Sequence, residues 1–163
     1  MALPSLEWIA GFFDGEGCVN TQKPYKDCKS RLLRVSIAQC DRSPLEELKI
    51  LFGGSISCHK RAIEGSNHRD CFTWKVSAQK AEDFLTAIRP YVRVKRLQVE
   101  AALQLRLLVH SRELKRCATG WLCEKEDSNR ISQILHLAQV ISFHNGRNYK
   151  KLYESSIAPQ GVE

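Results

Sequence analysis

The stretch IAGFFDGEG, Ile9 to Gly17, decides how the rest of the chain is read, because it departs at several positions from an ordinary amphipathic helix. Ser5, after Pro4, can cap a helix whose first turn carries Glu7, and the helix then runs through LEWIAGFFDGEG. Gly11 and Gly15 lie four apart and so share one helix face. Trp8 and Phe12 border that face. Without Cβ atoms at Gly11 and Gly15 a second backbone can approach closely, so Trp8, Gly11, Phe12 and Gly15 are expected to meet a neighbouring helix. A plain helix ending would account for Gly15 and Gly17, but not for Gly11 in the interior, where glycine costs about 1 kcal/mol relative to alanine. Asp14 and Glu16 fall at the C-terminal end, where the helix dipole already presents negative charge. A divalent cation would offset this, and two such helices side by side would bring two carboxylates onto adjacent metals.

Outward from this helix, CVNTQKP from Cys18 and RLLRVSIAQ from Arg31 have extended character and read as a hairpin across the polar KDCKS. In the second strand Leu33, Val35 and Ile37 alternate with Leu32, Arg34 and Ser36, giving one core face and one largely polar face. Ser43, Pro44 and Glu46 fit the Ncap, N1 and N3 positions of a capping box, ahead of Leu45, Leu48 and Leu51, with Gly53 as the stop. SISCHKRA and CFTWKVS then form a second strand pair around EGSNHRD, with Phe72, Trp74 and Val76 on one face. From Ser77 a short helix carries Ala81, Phe84, Leu85 and Ile88, ending at Pro90. A longer helix is expected from Val94 to His110, TGWLCEKED as a connection, another helix from Ser128 to about Phe143, and a tail from Gly146. Helix, two strands, helix, two strands and then helices predict an α+β fold: an antiparallel saddle with helices on one face, the core at about 5–110 and a helical extension at about 111–163.

A length of 163 residues suits a single domain. The 25 Lys and Arg against 18 Asp and Glu give a formal charge of +7 and suit a polyanionic partner. Seven cysteines, at 18, 28, 40, 58, 71, 117 and 123, contain no CxxC pair, which argues against structural zinc. No apolar signal-like segment precedes them, so an intracellular, reducing compartment is expected, either in an organelle such as a chloroplast or mitochondrion or in a prokaryotic cytoplasm. No apolar run is long enough for a membrane span. The histidines, His59, His68, His110, His136 and His144, form no metallohydrolase or HNH-like spacing.

IAGFFDGEG resembles the LAGLIDADG motif of homing endonucleases position by position, and it occurs once. The resemblance covers about the first hundred residues and implies the same order of elements as the periodicity does. It further implies a homodimer joined through the motif helices at a two-fold axis, and Glu16 as the catalytic metal ligand, helped by the Gly15 carbonyl. The family often has Asp where this chain has Glu16, and both occur in it. Gln39 matches the family's polar residue at the end of the second strand, Lys95 its lysine after the third helix, and Arg42 a basic residue beyond Gln39.

The implied activity is metal-dependent cleavage of both strands of a long pseudo-palindromic DNA site, with Mg²⁺ or Mn²⁺ as cofactor and double-stranded DNA as partner, promoting mobility of a host intron or similar element. In that reading Glu16 holds metal, Gln39 orients water and Lys95 puts positive charge beside the phosphate. The polar face of the sheet would read bases in the major groove through Asn20, Gln22, Ser30, Arg34, Ser36, Ser57, His59, Arg61, Thr73 and Lys75, with Lys29, Lys60 and Arg69 on phosphates. The alternative is an intron maturase or nucleic-acid-binding protein of the same fold without nuclease activity. Such proteins tend to lose motif carboxylates, whereas Glu16, Gln39 and Lys95 are all present.

Overall fold

The structure is a computed structural model and describes residues 3–23, 31–59, 69–110, 116–117, 120–121 and 128–144. Chain order is α1 (Leu6–Glu16), β1 (Gly17–Gln22), β2 (Leu32–Gln39), α2 (Ser43–Phe52), β3 (Ser55–His59), β4 (Cys71–Ser77), α3 (Gln79–Ile88), α4 (Arg96–His110), β5 (Arg116–Cys117), β6 (Gly120–Trp121) and α5 (Ser128–His144). The first four strands form one antiparallel sheet in the order β1-β2-β4-β3, so the two hairpins meet through β2 and β4. This is the expected α+β, αββαββα arrangement. Among the described residues no helix is long and apolar enough to cross a membrane.

Register explains which side chains are buried. Val19 stands opposite Val35, Ile37 opposite Trp74, and Val35 opposite Val76. Together with Leu33 these side chains form the inner face, and all are buried. Against them α1 contributes Ile9, Ala10 and Phe13, α2 contributes Leu45 and Leu48, and α3 contributes Ala81, Phe84, Leu85 and Ile88. Phe84 is the centre of this packing, meeting Phe13, Phe52 and Trp74 edge-on at 5.6, 5.0 and 5.1 Å between ring centroids. The Trp74 indole N–H is satisfied by the Gly53 carbonyl at 2.8 Å, so the ring is buried without an orphaned donor.

The start of α1 is as expected. The Ser5 hydroxyl accepts the Trp8 N–H at 3.3 Å. The Glu7 carboxyl is held below its ordinary value, first by its own backbone amide and then by Ser5. The capping box of α2 does not form. The residue at the N-cap is Arg42, without a side-chain cap bond. The Asp41 carboxylate accepts the Ser43 N–H at 2.9 Å. Glu46 turns to the Arg42 guanidinium at 2.6 Å instead of reaching back to an amide. A neighbouring carboxylate and a cation four residues away thus outcompete the Ser43 and Glu46 pairing.

Ser77 belongs to β4 and not to the following helix, because Ala78 adds one more rung to the ladder by donating to the Leu33 carbonyl at 2.9 Å. Ala78 then turns the chain with φ of 51° before α3 begins. The long helix starts at Arg96, two residues later than expected, since the amides of the preceding turn are engaged by Asp14. The connection expected at TGWLCEKED contributes to a small antiparallel pair, Arg116 opposite Trp121 and Cys117 opposite Gly120. The tail from Gly146 lies outside the described residues.

Candidate functional site

The two acids at the end of α1 have different surroundings. The half-buried Asp14 accepts three backbone N–H groups, from Arg93 at 2.8 Å, Val94 at 3.1 Å and Lys95 at 3.0 Å. Its unfavourable place at a helix C-terminus is therefore offset by amides at the threshold of α4 and needs no cation. The Lys95 ammonium donates back to the Asp14 carbonyl and lies 5.9 Å from the centre of the Phe13 ring. It therefore sits at the negative end of the motif helix, where a cation is favoured. Glu16, two residues on, is exposed.

Sheet register brings a third predicted residue to this end. Gly17 stands opposite Ile37, so β1 running back into α1 and β2 running forward to Gln39 leave the sheet on the same side. Gln39 pairs across with Phe72, and its amide oxygen accepts the Cys40 N–H at 2.8 Å. Arg42 is held by Glu46 and lies 5.8 Å from the centre of the Phe72 ring, beside Gln39. Glu16, Gln39 and Lys95 therefore cluster at one end of the sheet, with Arg42 at its margin.

A carboxylate, with the Gly15 carbonyl before it, forms a hard oxygen donor set suited to Mg²⁺ or Mn²⁺. Among the described residues no three His, Cys, Asp or Glu side chains gather to hold a metal. A site built on Glu16 would thus be completed by water, phosphate oxygens or a second copy of the chain, as is usual for Mg²⁺.

The predicted recognition residues that the structure describes share one surface. Asn20 stands opposite Arg34, Ser36 opposite Lys75, and Ser57 opposite Thr73. By parity Gln22 and His59 join them on the face turned away from the helices. Ser30 and Arg61 lie outside the described residues, as do Lys29 and Lys60. The same parity adds residues that sequence reasoning passed over: Cys18, Leu32, Ala38 and Cys71 bring small or apolar groups to this face. Strand alternation alone could have found them. Burial pushes the Cys18 thiol up from its ordinary value, against a hydrogen bond from Asn20 and the charge of Lys95.

On α1, Trp8 is 47% exposed and its ring stacks on Phe12 at 5.1 Å. A Cβ added at Gly11 or Gly15 would meet nothing within 4 Å. The stripe expected to meet another helix thus has no such helix among the described residues of its own chain.

A search of the curated proteins finds no match. Among solved structures, the homing endonuclease I-CvuI, crystallised with its target and Ca, is 17% identical with a TM-score of 0.61, covering 91% of this chain and 90% of that one. The archaeal intron-encoded homing endonuclease I-Vdi141I, complexed with DNA, is 18% identical with a TM-score of 0.62, covering 87% and 84%. I-SmaMI bound to cleaved DNA is 17% identical with a TM-score of 0.61, covering 98% of this chain but 51% of that one. At these identities the likeness is one of fold. The family model for LAGLIDADG endonucleases matches residues 9–93, from the first residue of the motif to the turn that Asp14 binds, and the chain belongs to that family.

Proposed function

We propose that this chain is one subunit of a site-specific homing endonuclease, two copies of which pair through Trp8, Gly11, Phe12 and Gly15 and make a metal-dependent double-strand break in a long pseudo-palindromic DNA site. The observation that carries the reading is the division of labour at the end of α1: Asp14 is taken up by three amides, while Glu16 is left open beside the Lys95 anchor. Pairing of two copies is supported by the uncovered glycine stripe and by the match to about half of the I-SmaMI chain.

In this reading Glu16, with the Gly15 carbonyl, holds Mg²⁺ or Mn²⁺. The ion, when bound, lowers the pKa of water and neutralises charge on the phosphate. Gln39 orients the attacking water, and Lys95 offers fixed positive charge where negative charge develops. Arg42, displaced from Glu46, would add to that charge. Asn20, Gln22, Arg34, Ser36, Ser57, His59, Thr73 and Lys75 project toward base edges, where Arg suits guanine and Asn or Gln suits adenine.

Purified protein and Glu16→Gln, incubated with a pool of DNA sites in Mg²⁺ and in Ca²⁺, test this. Wild type is expected to cleave with Mg²⁺, and Glu16→Gln to lose more than ~100-fold in rate while still binding DNA. Equal cleavage by both proteins would exclude Glu16, and DNA binding without cleavage by wild type would favour the maturase-like alternative.

A further inference from the structure

The β2–β4 ladder runs out, beside Gln39, onto a pair of thiols. Ala78 donates to the Leu33 carbonyl, so these two residues form a hydrogen-bonded pair. Every second pair along the ladder is of the same kind, down to Gln39 and Phe72. One step further the register sets Cys40 opposite Cys71, as a pair without hydrogen bonds between its backbones. In such pairs the Cα atoms lie about 4.5 Å apart and the side chains stand closest. A disulfide accepts a Cα separation of roughly 4.4–6.8 Å, so this pair can be bridged with little backbone movement. Parity with Ala38 and Thr73 puts both thiols on the face turned away from the helices. Both cysteines are free, Cys40 exposed and Cys71 half-buried. The Cys71 thiol lies 3.8 Å from the Phe72 carbonyl, a weak contact that a rotation about χ1 gives up. Cys18 and Cys58 stand opposite Ser36 and Phe72 instead, so the register offers neither of them to this pair.

We propose that Cys40 and Cys71 are a reversible redox pair, oxidised by a small-molecule disulfide of the glutathione class. The exposed Cys40 thiol loses its proton, and its thiolate attacks one sulfur of that disulfide and expels the other half as a thiolate. The Cys71 thiol, deprotonated in turn, attacks the Cys40 sulfur of the mixed disulfide and expels the second half. Two electrons pass from the protein to the small disulfide, which leaves as two thiols, and an excess of thiol reverses both steps. The bridge closes a covalent loop around α2 and β3 and ties the two hairpins together beside Gln39. The bend after Gln39, which leads to Arg42, is then no longer free to adjust toward a phosphate. Oxidation therefore slows cleavage, a consequence that rests on the DNA-cleaving function argued above.

Wild type and Cys40→Ala, each treated with glutathione disulfide and then with dithiothreitol, test this. Peptide mapping by mass spectrometry is expected to find the Cys40–Cys71 bridge in oxidised wild type. The urea midpoint should rise with the cross-link and the rate of cleavage in Mg²⁺ should fall, and dithiothreitol should reverse all of these changes. In Cys40→Ala the rate of cleavage should be the same before and after oxidation. Mixed disulfides alone, or a bridge through other cysteines, overturn the proposed pair. A mapped bridge with an unchanged rate overturns its control of cleavage. If reduced wild type cleaves no DNA while the bridge still forms and reverses, the thiol pair stands and the DNA-cleaving reading fails.

Discussion

Asp14 and Lys95 bind each other twice: the Asp14 carboxylate accepts the Lys95 backbone N–H at 3.0 Å, and the Lys95 ammonium returns to the Asp14 carbonyl. The contact spans 81 positions of sequence and joins the C-terminal end of the motif helix to the turn that starts α4. One side chain of the motif thus fixes the turn before a distant helix, and Lys95 in that turn sends a cation back to the motif. The position of Lys95 relative to Glu16 follows from this reciprocal clamp.

Asp14→Asn is therefore expected to destabilise the fold. An amide offers one oxygen where the carboxylate offers two, and its NH₂ would face backbone donors. A loss of about 1–3 kcal/mol is expected, as for a cap whose donors are left unmatched. Urea unfolding measures it. A midpoint unchanged from wild type would mean that the three amides find other partners.

Glu16→Gln should behave in the opposite way on the same assay. Glu16 is exposed at the negative end of a helix, so removing its charge relieves an unfavourable dipole contact. The urea midpoint is expected to stay level or rise slightly, although cleavage is lost. A clear fall would show that Glu16 supports the fold and would weaken its assignment to a metal.

The motif resemblance singles out Glu16, but the use of Asp14 as an acceptor for distant amides could not be read from the sequence, where it is one of two acids in a glycine-rich turn. The elements themselves were legible, because alternation in LLRVSIAQ and CFTWKVS and the spacing of Ala81, Phe84, Leu85 and Ile88 depend on local periods. The polar sheet face was legible by the same rule. Pairing of β2 with β4 and the partners of Asp14 were not, since they are set by contacts between residues far apart in sequence. The α2 capping box was misread for a local reason: Asp41 and Arg42, just upstream, compete for the groups that Ser43 and Glu46 would have used.

Cys18 gives a pH-dependent signature. Burial raises its thiol pKa in the folded state above that of the unfolded chain. The neutral thiol is thus favoured by folding, and the associated stability is present below the unfolded pKa and lost as pH rises through the folded one. Wild type should lose stability relative to Cys18→Ala as pH rises above the ordinary thiol value of about 8.5. Urea midpoints of the two proteins measure the difference, and a gap that stays constant with pH would remove burial as the cause.

The glycines of the motif separate packing within the chain from packing between chains. A Cβ at Gly17 would come within 2.2 Å of the Phe13 ring and 2.5 Å of the Phe13 carbonyl, so Gly17→Ala should cost about 1–3 kcal/mol in any assembly state. Gly11 has open space around it in the single chain, and alanine or leucine there improves helix propensity by up to about 1 kcal/mol. Gly11→Leu should therefore leave the monomer folded, and no less resistant to urea when dilute, yet force two motif helices apart. Sedimentation should then report half the wild-type mass, with cleavage lost because neither strand is presented to a paired Glu16. If Gly11→Leu keeps the wild-type mass, the motif helices do not meet through this face.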